Sequence, residues 1–188
     1  MRKVFLIPAF LLFIHFSNLF AKDPGDKVDN FSIKNFDGKT YSINDVKDSK
    51  GLIIIFWSTK CPFVQAYNDR INDLVSSYQQ KGFIFWAINS NKTESASEVD
   101  SHAKTNNYVF PVLKDENNTV ADMFGATRTP EVFIINKDNV IVYHGRIDDN
   151  KDKADVTSND LANALDEILG GKDVSIKSTK QFGCTIKR

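Results

Sequence analysis

The stretch Ile53-Ile54-Ile55-Phe56-Trp57, followed by Ser58-Thr59-Lys60-Cys61-Pro62, constrains the fold more than any other. An unbroken apolar run rich in β-branched residues reads as a strand covered on both faces, the pattern of a central strand in an α/β sheet. A short polar turn ends it. Proline then suits the first position of a helix, where its missing N–H costs no hydrogen bond. Cys61 therefore falls at the N-cap, with its sulfur toward free backbone N–H groups and the positive end of the helix dipole. Both favour the thiolate, which is the nucleophilic form, and Lys60 adds a positive charge nearby. The reading is a redox-active cysteine. The competing reading is a buried structural cysteine that behaves as a small hydrophobe.

The rest of the chain supplies the remainder of such a sheet. Phe31-Ser32-Ile33 and Tyr41-Ser42-Ile43 alternate on either side of Asp37-Gly38 and predict an N-terminal hairpin. From Pro62, the spacing of Phe63, Tyr67, Ile71, Leu74, Val75 and Tyr78 predicts a helix with one buried face, stopped near Lys81-Gly82. A second buried strand is expected over 83–88, a polar loop over 89–97, a weak helix over 97–107 and a short extended piece over 110–113. Residues 117–124 read as a short helix closed by Gly125. Strands over 132–135 and 140–143 form a hairpin around Lys137-Asp138-Asn139, and Leu161, Leu165, Ile168 and Leu169 mark a last amphipathic helix before Gly170-Gly171. The order β-β-β-α-β-α-α-β-β-α predicts an α/β sandwich around a mixed sheet.

Three segments follow. Residues 1–21 have the form of a secretory signal peptide: Arg2 and Lys3, an apolar core over 4–16 too short to span a bilayer, and a cleavage point after Ala21. An uncleaved anchor is the alternative. Residues 22–171 form the folded domain, and residues 172–188 a tail with Cys184. The whole chain has 24 basic and 24 acidic side chains. That balance argues against nucleic acid as a partner, and cleavage leaves no segment for stable membrane insertion. Export places the protein in the periplasm or outside the cell, where disulfides persist. The two cysteines, Cys61 and Cys184, allow one bridge.

With these motifs the chain resembles the thioredoxin-like superfamily over about residues 24–170. The resemblance rests on the strand ending at Phe56-Trp57, the Cys61-Pro62 helix start, the Thr129-Pro130 step before a strand and the hairpin after it. Cys61-Pro62-Phe63-Val64, the stretch 143–149 and Gly183-Cys184-Thr185-Ile186-Lys187 resemble the peroxiredoxin-like AhpC/TSA and redoxin group. The resemblance implies a thioredoxin-like α/β/α sandwich with a hairpin extension. It also implies a cis Pro130 beside the active cysteine, with the backbone before it free to pair with an extended substrate; an ordinary trans proline is the alternative. Thr129, Pro130, Trp57 and Pro62 are the candidate groove residues, although strand alternation reads Trp57 as core.

The chain departs from the family pattern at several positions. Val64 stands where thioredoxins carry their second cysteine, and Ile55 where they carry a buried acid. Of the peroxiredoxin motif, Ser58 supplies the hydroxyl three residues before Cys61, while Ile54 replaces the proline. Arg128, with Arg146 second, is the candidate for the arginine against the sulfur. Cys61, Ser58 and Arg128 then form a set for peroxide attack: thiolate nucleophile, hydroxyl and guanidinium. Cys184 is the candidate resolving thiol; a permanent bridge, a bridge between chains, or no contact at all are the alternatives. His102 is expected in solvent. His144 is expected at a solvated hairpin end or in a cluster with Arg146, Asp148 and Asp149, and Glu131 in the cleft or at an exposed strand start. Gln65 excludes the Cys-x-x-x-Cys motif of copper delivery, and no metal or organic cofactor is expected.

The favoured function is an exported, peroxiredoxin-like thiol oxidoreductase acting on peroxide or on protein thiols and disulfides, and restored by a thiol reductant. The alternatives are a thiol-disulfide exchange protein and a non-catalytic binding module. In the latter, Cys61 is locked to Cys184 and the Thr129-Pro130 groove holds a peptide.

Overall fold

Strand β3 (Gly51–Trp57) is buried at all seven positions, in the computed structural model, which describes residues 21–188. The segment read as a signal peptide lies, apart from Ala21, outside the described residues. Side chains alternate across a strand, so β3 feeds two cores. Ile53, Ile55 and Trp57 face α1 (Pro62–Gln79) and α4 (Asp160–Leu169). Leu52, Ile54 and Phe56 face the hairpin of β1 (Ser32–Lys34) and β2 (Thr40–Ser42), together with α3 (Thr119–Phe124).

The main sheet runs β5-β4-β3-β7-β8, with β4 (Phe83–Asn89), β5 (Val112–Lys114), β7 (Glu131–Ile135) and β8 (Ile141–Gly145). β3, β4 and β5 are parallel, and β7 and β8 complete the sheet antiparallel. The mixed α/β sandwich with its N-terminal hairpin is therefore the architecture the sequence pattern predicts. Helix α2 (Ala96–Thr105) begins at a capping box: Ser95 Oγ accepts from the Glu98 N–H, and the Ser95 N–H donates to the Glu98 carboxylate. Helix α3 starts two residues later than expected, because Asn117 and Asn118 sit at φ 60° and 59°.

The tail is part of the fold. Val174 joins the first core and Ile186 the second. His144 forms a bridge with Ser178, and β9 (Cys184–Thr185) pairs antiparallel with the two-residue strand β6 (Arg128–Thr129). The segment read as a separate tail is seated along the rim of the domain.

Because Ile54 sits in a tightly packed layer at 0% exposure, Ile54→Ala should lower unfolding free energy by about 2–5 kcal/mol. Urea denaturation with an unchanged m-value is the check.

Candidate active site

The turn after β3 is held by a carboxylate that no local motif announces. Glu94 is buried and accepts from Ser58 Oγ (2.5 Å), the Thr59 N–H (2.7 Å), Thr59 Oγ1 (2.9 Å) and Asn89 Nδ2 (2.6 Å). Behind it the Lys114 ammonium donates to Asn89 Oδ1 and the Asn91 carbonyl. Burial lowers the Lys114 pKa, against the pull of Glu116 and Glu94. Fixing residues 58 and 59 fixes where the chain enters α1. Cys61 is the N-cap residue and Pro62 follows at the helix start, as expected. Its sulfur makes no capping bond to the helix backbone. It is bonded instead to Cys184, across a Cα–Cα distance of 5.9 Å and a sequence separation of 123 residues. Lys60 turns away from it, to the Thr93 carbonyl (2.8 Å) and the Glu98 carboxylate (3.1 Å).

A second buried carboxylate holds the opposite wall. The Thr129–Pro130 bond is cis, and the Thr129 carbonyl oxygen lies 3.2 Å from the Cys61 sulfur. Glu131, the first residue of β7, is fully buried. Its Oε2 accepts the Thr127 and Arg128 N–H groups, each at 2.8 Å, and its Oε1 meets His144 Nε2 (2.8 Å) and Gln181 Nε2 (3.0 Å). The His144 ring stacks on Phe133 with centroids 4.1 Å apart. Both sequence placements of Glu131 and His144 thus give way to a buried pair. The cluster proposed around His144 separates: Arg146 pairs with Asp160, Asp148 with Arg70 and Tyr67, and Asp149 caps Thr157.

Of the groove residues, Pro62 is exposed, while Thr129 and Pro130 are buried where β9 crosses them. Trp57 does not line the groove: its indole is fully buried and donates to the Tyr108 hydroxyl (3.1 Å), with the His102 ring 4.8 Å away. His102 is accordingly half-buried rather than solvated, and burial holds its pKa below the ordinary value. Ser58 gives its hydroxyl to Glu94. Arg128 donates to the Gly183 carbonyl (3.1 Å), and so grips the tail. In this oxidised state neither group is turned to the Cys61 sulfur. A pocket of about 280 Å³ opens beside the disulfide, between Lys60, Glu94, Thr185 and Lys187.

Residues 24–144 match the AhpC/TSA family, more than half of the chain. The chain belongs to the AhpC/TSA family. Among curated relatives, the thiol-disulfide oxidoreductase ResA of Bacillus cereus is 27% identical over 128 residues, covering 68% of this chain and 72% of that protein. Its Bacillus thuringiensis counterpart is 28% identical and is covered to 66% of its length, so the match spans about two thirds of these relatives. Among solved structures, a hypothetical protein from Sinorhizobium meliloti 1021 superposes with TM-score 0.82 at 33% identity, covering 89% of this chain and 96% of that one. Peroxidoxin BcpB from Mycobacterium tuberculosis shares the fold, with TM-score 0.57 at 19% identity over 79% of this chain and 94% of that one.

Sequence reasoning missed Glu94. The available signal was positional: in a parallel sheet, sites form outside the carboxyl ends of the strands, and Asn89 ends β4, with Asn91 and Glu94 just beyond it, next to the end of β3. Glu94→Ala leaves buried donors without an acceptor at about 1–3 kcal/mol each. A clear loss of stability in urea is expected, together with faster alkylation of reduced Cys61 as its turn loosens; Glu94→Gln should lose less. His102 gives a pH signature. Its pKa is lower folded than unfolded, so its contribution is full above about pH 6.5 and fades as pH falls through the folded value. His102→Gln should flatten the wild-type decline in urea midpoint between about pH 7.5 and pH 5.

Proposed function

We propose that this protein is an exported thiol-disulfide oxidoreductase that cycles between the Cys61–Cys184 disulfide and the dithiol. The observation that carries the reading is the pairing of a cysteine at a strand–helix junction with a tail cysteine beside a cis-proline. Cys61 is buried and Cys184 half-buried, so a reductant thiolate attacks the Cys184 sulfur. Cys61 then leaves as a thiolate at the N-terminus of α1, where the helix dipole favours negative charge. A second thiol of the reductant displaces Cys184, and two electrons have entered the protein. In the other half-cycle the Cys61 thiolate attacks a client disulfide and expels one client thiolate. Cys184 attacks the Cys61 sulfur and expels the other, which restores the bridge.

Exchange is preferred to peroxide reduction on geometry: the Ser58 hydroxyl is committed to Glu94 and the Arg128 guanidinium to the tail. Family membership favours the second reading, in which Cys61 attacks a peroxide, becomes a sulfenic acid and is resolved by Cys184 with loss of water. Export rests on the charged start and apolar core of residues 1–21.

The deciding experiment mixes the reduced mature protein separately with a peptide disulfide and with hydrogen peroxide, and follows formation of the Cys61–Cys184 bridge by mass. Faster closure with the peptide disulfide is expected, with Cys184→Ser halting at the mixed disulfide and Cys61→Ser inert. Faster closure with peroxide would move the assignment to a peroxidase. The bridge should also equilibrate with thiol buffers above about −300 mV; a lower potential with no exchange would mark it as a structural staple.

A further inference from the structure

The segment that carries Cys184 is seated as a partner peptide would be. It adds a strand to β6, with Cys184 opposite Thr129 and Thr185 opposite Arg128. The pairing continues with the Ile186 N–H on the Thr127 carbonyl (3.0 Å), the Lys187 N–H on Asn91 Oδ1 (2.8 Å) and the Lys92 N–H on the Lys187 carbonyl (2.8 Å). Its side chains alternate as in any strand. Phe182 packs on the Phe63 ring at 5.9 Å, Cys184 meets Cys61, and Ile186 is 3% exposed in the second core. Thr185 faces solvent. Position 183 tolerates only glycine: φ is +142°, and a Cβ there would lie 2.1 Å from the Thr129 carbonyl oxygen.

We propose that residues 182–186 are a built-in copy of the client segment. When reduction frees the tail, the same groove takes an extended stretch of another protein with the pattern aromatic–glycine–cysteine–any–aliphatic. The proposal rests on the exchange reading above and deepens it by naming the substrate class. Two observations support an exchangeable tail. The β6–β9 pair is a two-stranded sheet of its own, so tail release leaves the main sheet intact and exposes an unpaired edge to which an extended chain can add. Thr129 Oγ1 is buried beside the docked tail with no hydrogen-bond partner among the described residues, so the tail leaves one polar group unsatisfied that a client can satisfy. Without the disulfide, residues 182–186 are held by the backbone pairing, the Arg128 bond to the Gly183 carbonyl, Phe182 and Ile186, and they are flanked by Gln181 on Glu131 and Arg188 on Asp122.

The groove admits one strand at a time. The client disulfide is attacked by the Cys61 thiolate, one client thiolate leaves, and the other client sulfur stays bound to Cys61. Cys184 then attacks the Cys61 sulfur, its proton passing to solvent, and the second client thiolate departs. The tail retakes its pairing with Arg128 and Thr129 in the same event. Resolution and eviction are coupled, driven by an effective tail concentration on the order of millimolar.

The test uses the reduced full-length mature protein and three nonapeptides, each activated as a mixed disulfide with 2-nitro-5-thiobenzoate, whose release is read by absorbance. One peptide has the sequence of residues 180–188. The second carries alanine at the position of Gly183. The third is scrambled around the cysteine. Rates are divided by those of glutathione with the same peptides, and the symmetrical reagent 5,5′-dithiobis(2-nitrobenzoate) serves as a control. The tail-sequence peptide should react roughly tenfold faster than the scrambled one, the effect of about one good anchoring contact, and the alanine peptide should fall to the scrambled rate. Three equal rates alongside normal reaction with the control reagent overturn the groove proposal and leave the exchange reading standing. Failure with the control reagent as well overturns both.

Discussion

The Cys61 sulfur can meet a second cysteine only because the turn between β3 and α1 is pinned, and the pin is the buried Glu94 carboxylate. A bare carboxylate out of water is costly, and it persists when donors surround it. Here Ser58, Thr59 and Asn89 supply them, with the Lys114 ammonium behind. Glu131 does the same for the opposite wall by gathering the N–H groups of Thr127 and Arg128. Two buried carboxyl groups, one on each side, brace the strand–helix junction and the cis-proline step. Neither contacts the disulfide.

The tail brings the second cysteine to that frame. Its connection to the domain runs through His144, Glu131 and Arg128, so the wall that presents the Thr129 carbonyl to Cys61 is also the wall that holds Cys184. Closing a loop across 123 residues stabilises the oxidised fold by roughly 4–5 kcal/mol in the chain-entropy model. The proposed exchange cycle would draw on that difference, since the oxidised and reduced forms are not equally tied together. This chain thus carries its second cysteine not one helical turn from the first but on a strand that covers it.

Much of the fold could be read from the chain. The β3 run, the Cys61-Pro62 junction, the period of α1 and the hairpin around residues 137–139 each follow from local propensity and side-chain period, which a single segment contains. The same holds for Cys61 as N-cap. Ser58 and Arg128 follow from the family resemblance, and a motif cannot say which partner a hydroxyl or guanidinium prefers; Glu94 and the Gly183 carbonyl take them. Trp57 is named with the groove, but strand alternation, which predicts a core position, directs it into the α1 core. His144 and Glu131, 13 residues apart, come together only through the register of β7 and β8.

What the sequence determined by itself is the sheet, its central strand and a cysteine at the helix start, since these depend on neighbours a few residues away. What tertiary structure alone decided is the state of that cysteine. Its partner, the carboxylate that holds its turn and the carbonyl beside its sulfur come from residues 184, 94 and 129. Contacts over such separations are chosen by packing and by the need to satisfy every buried polar group, and no local pattern encodes them.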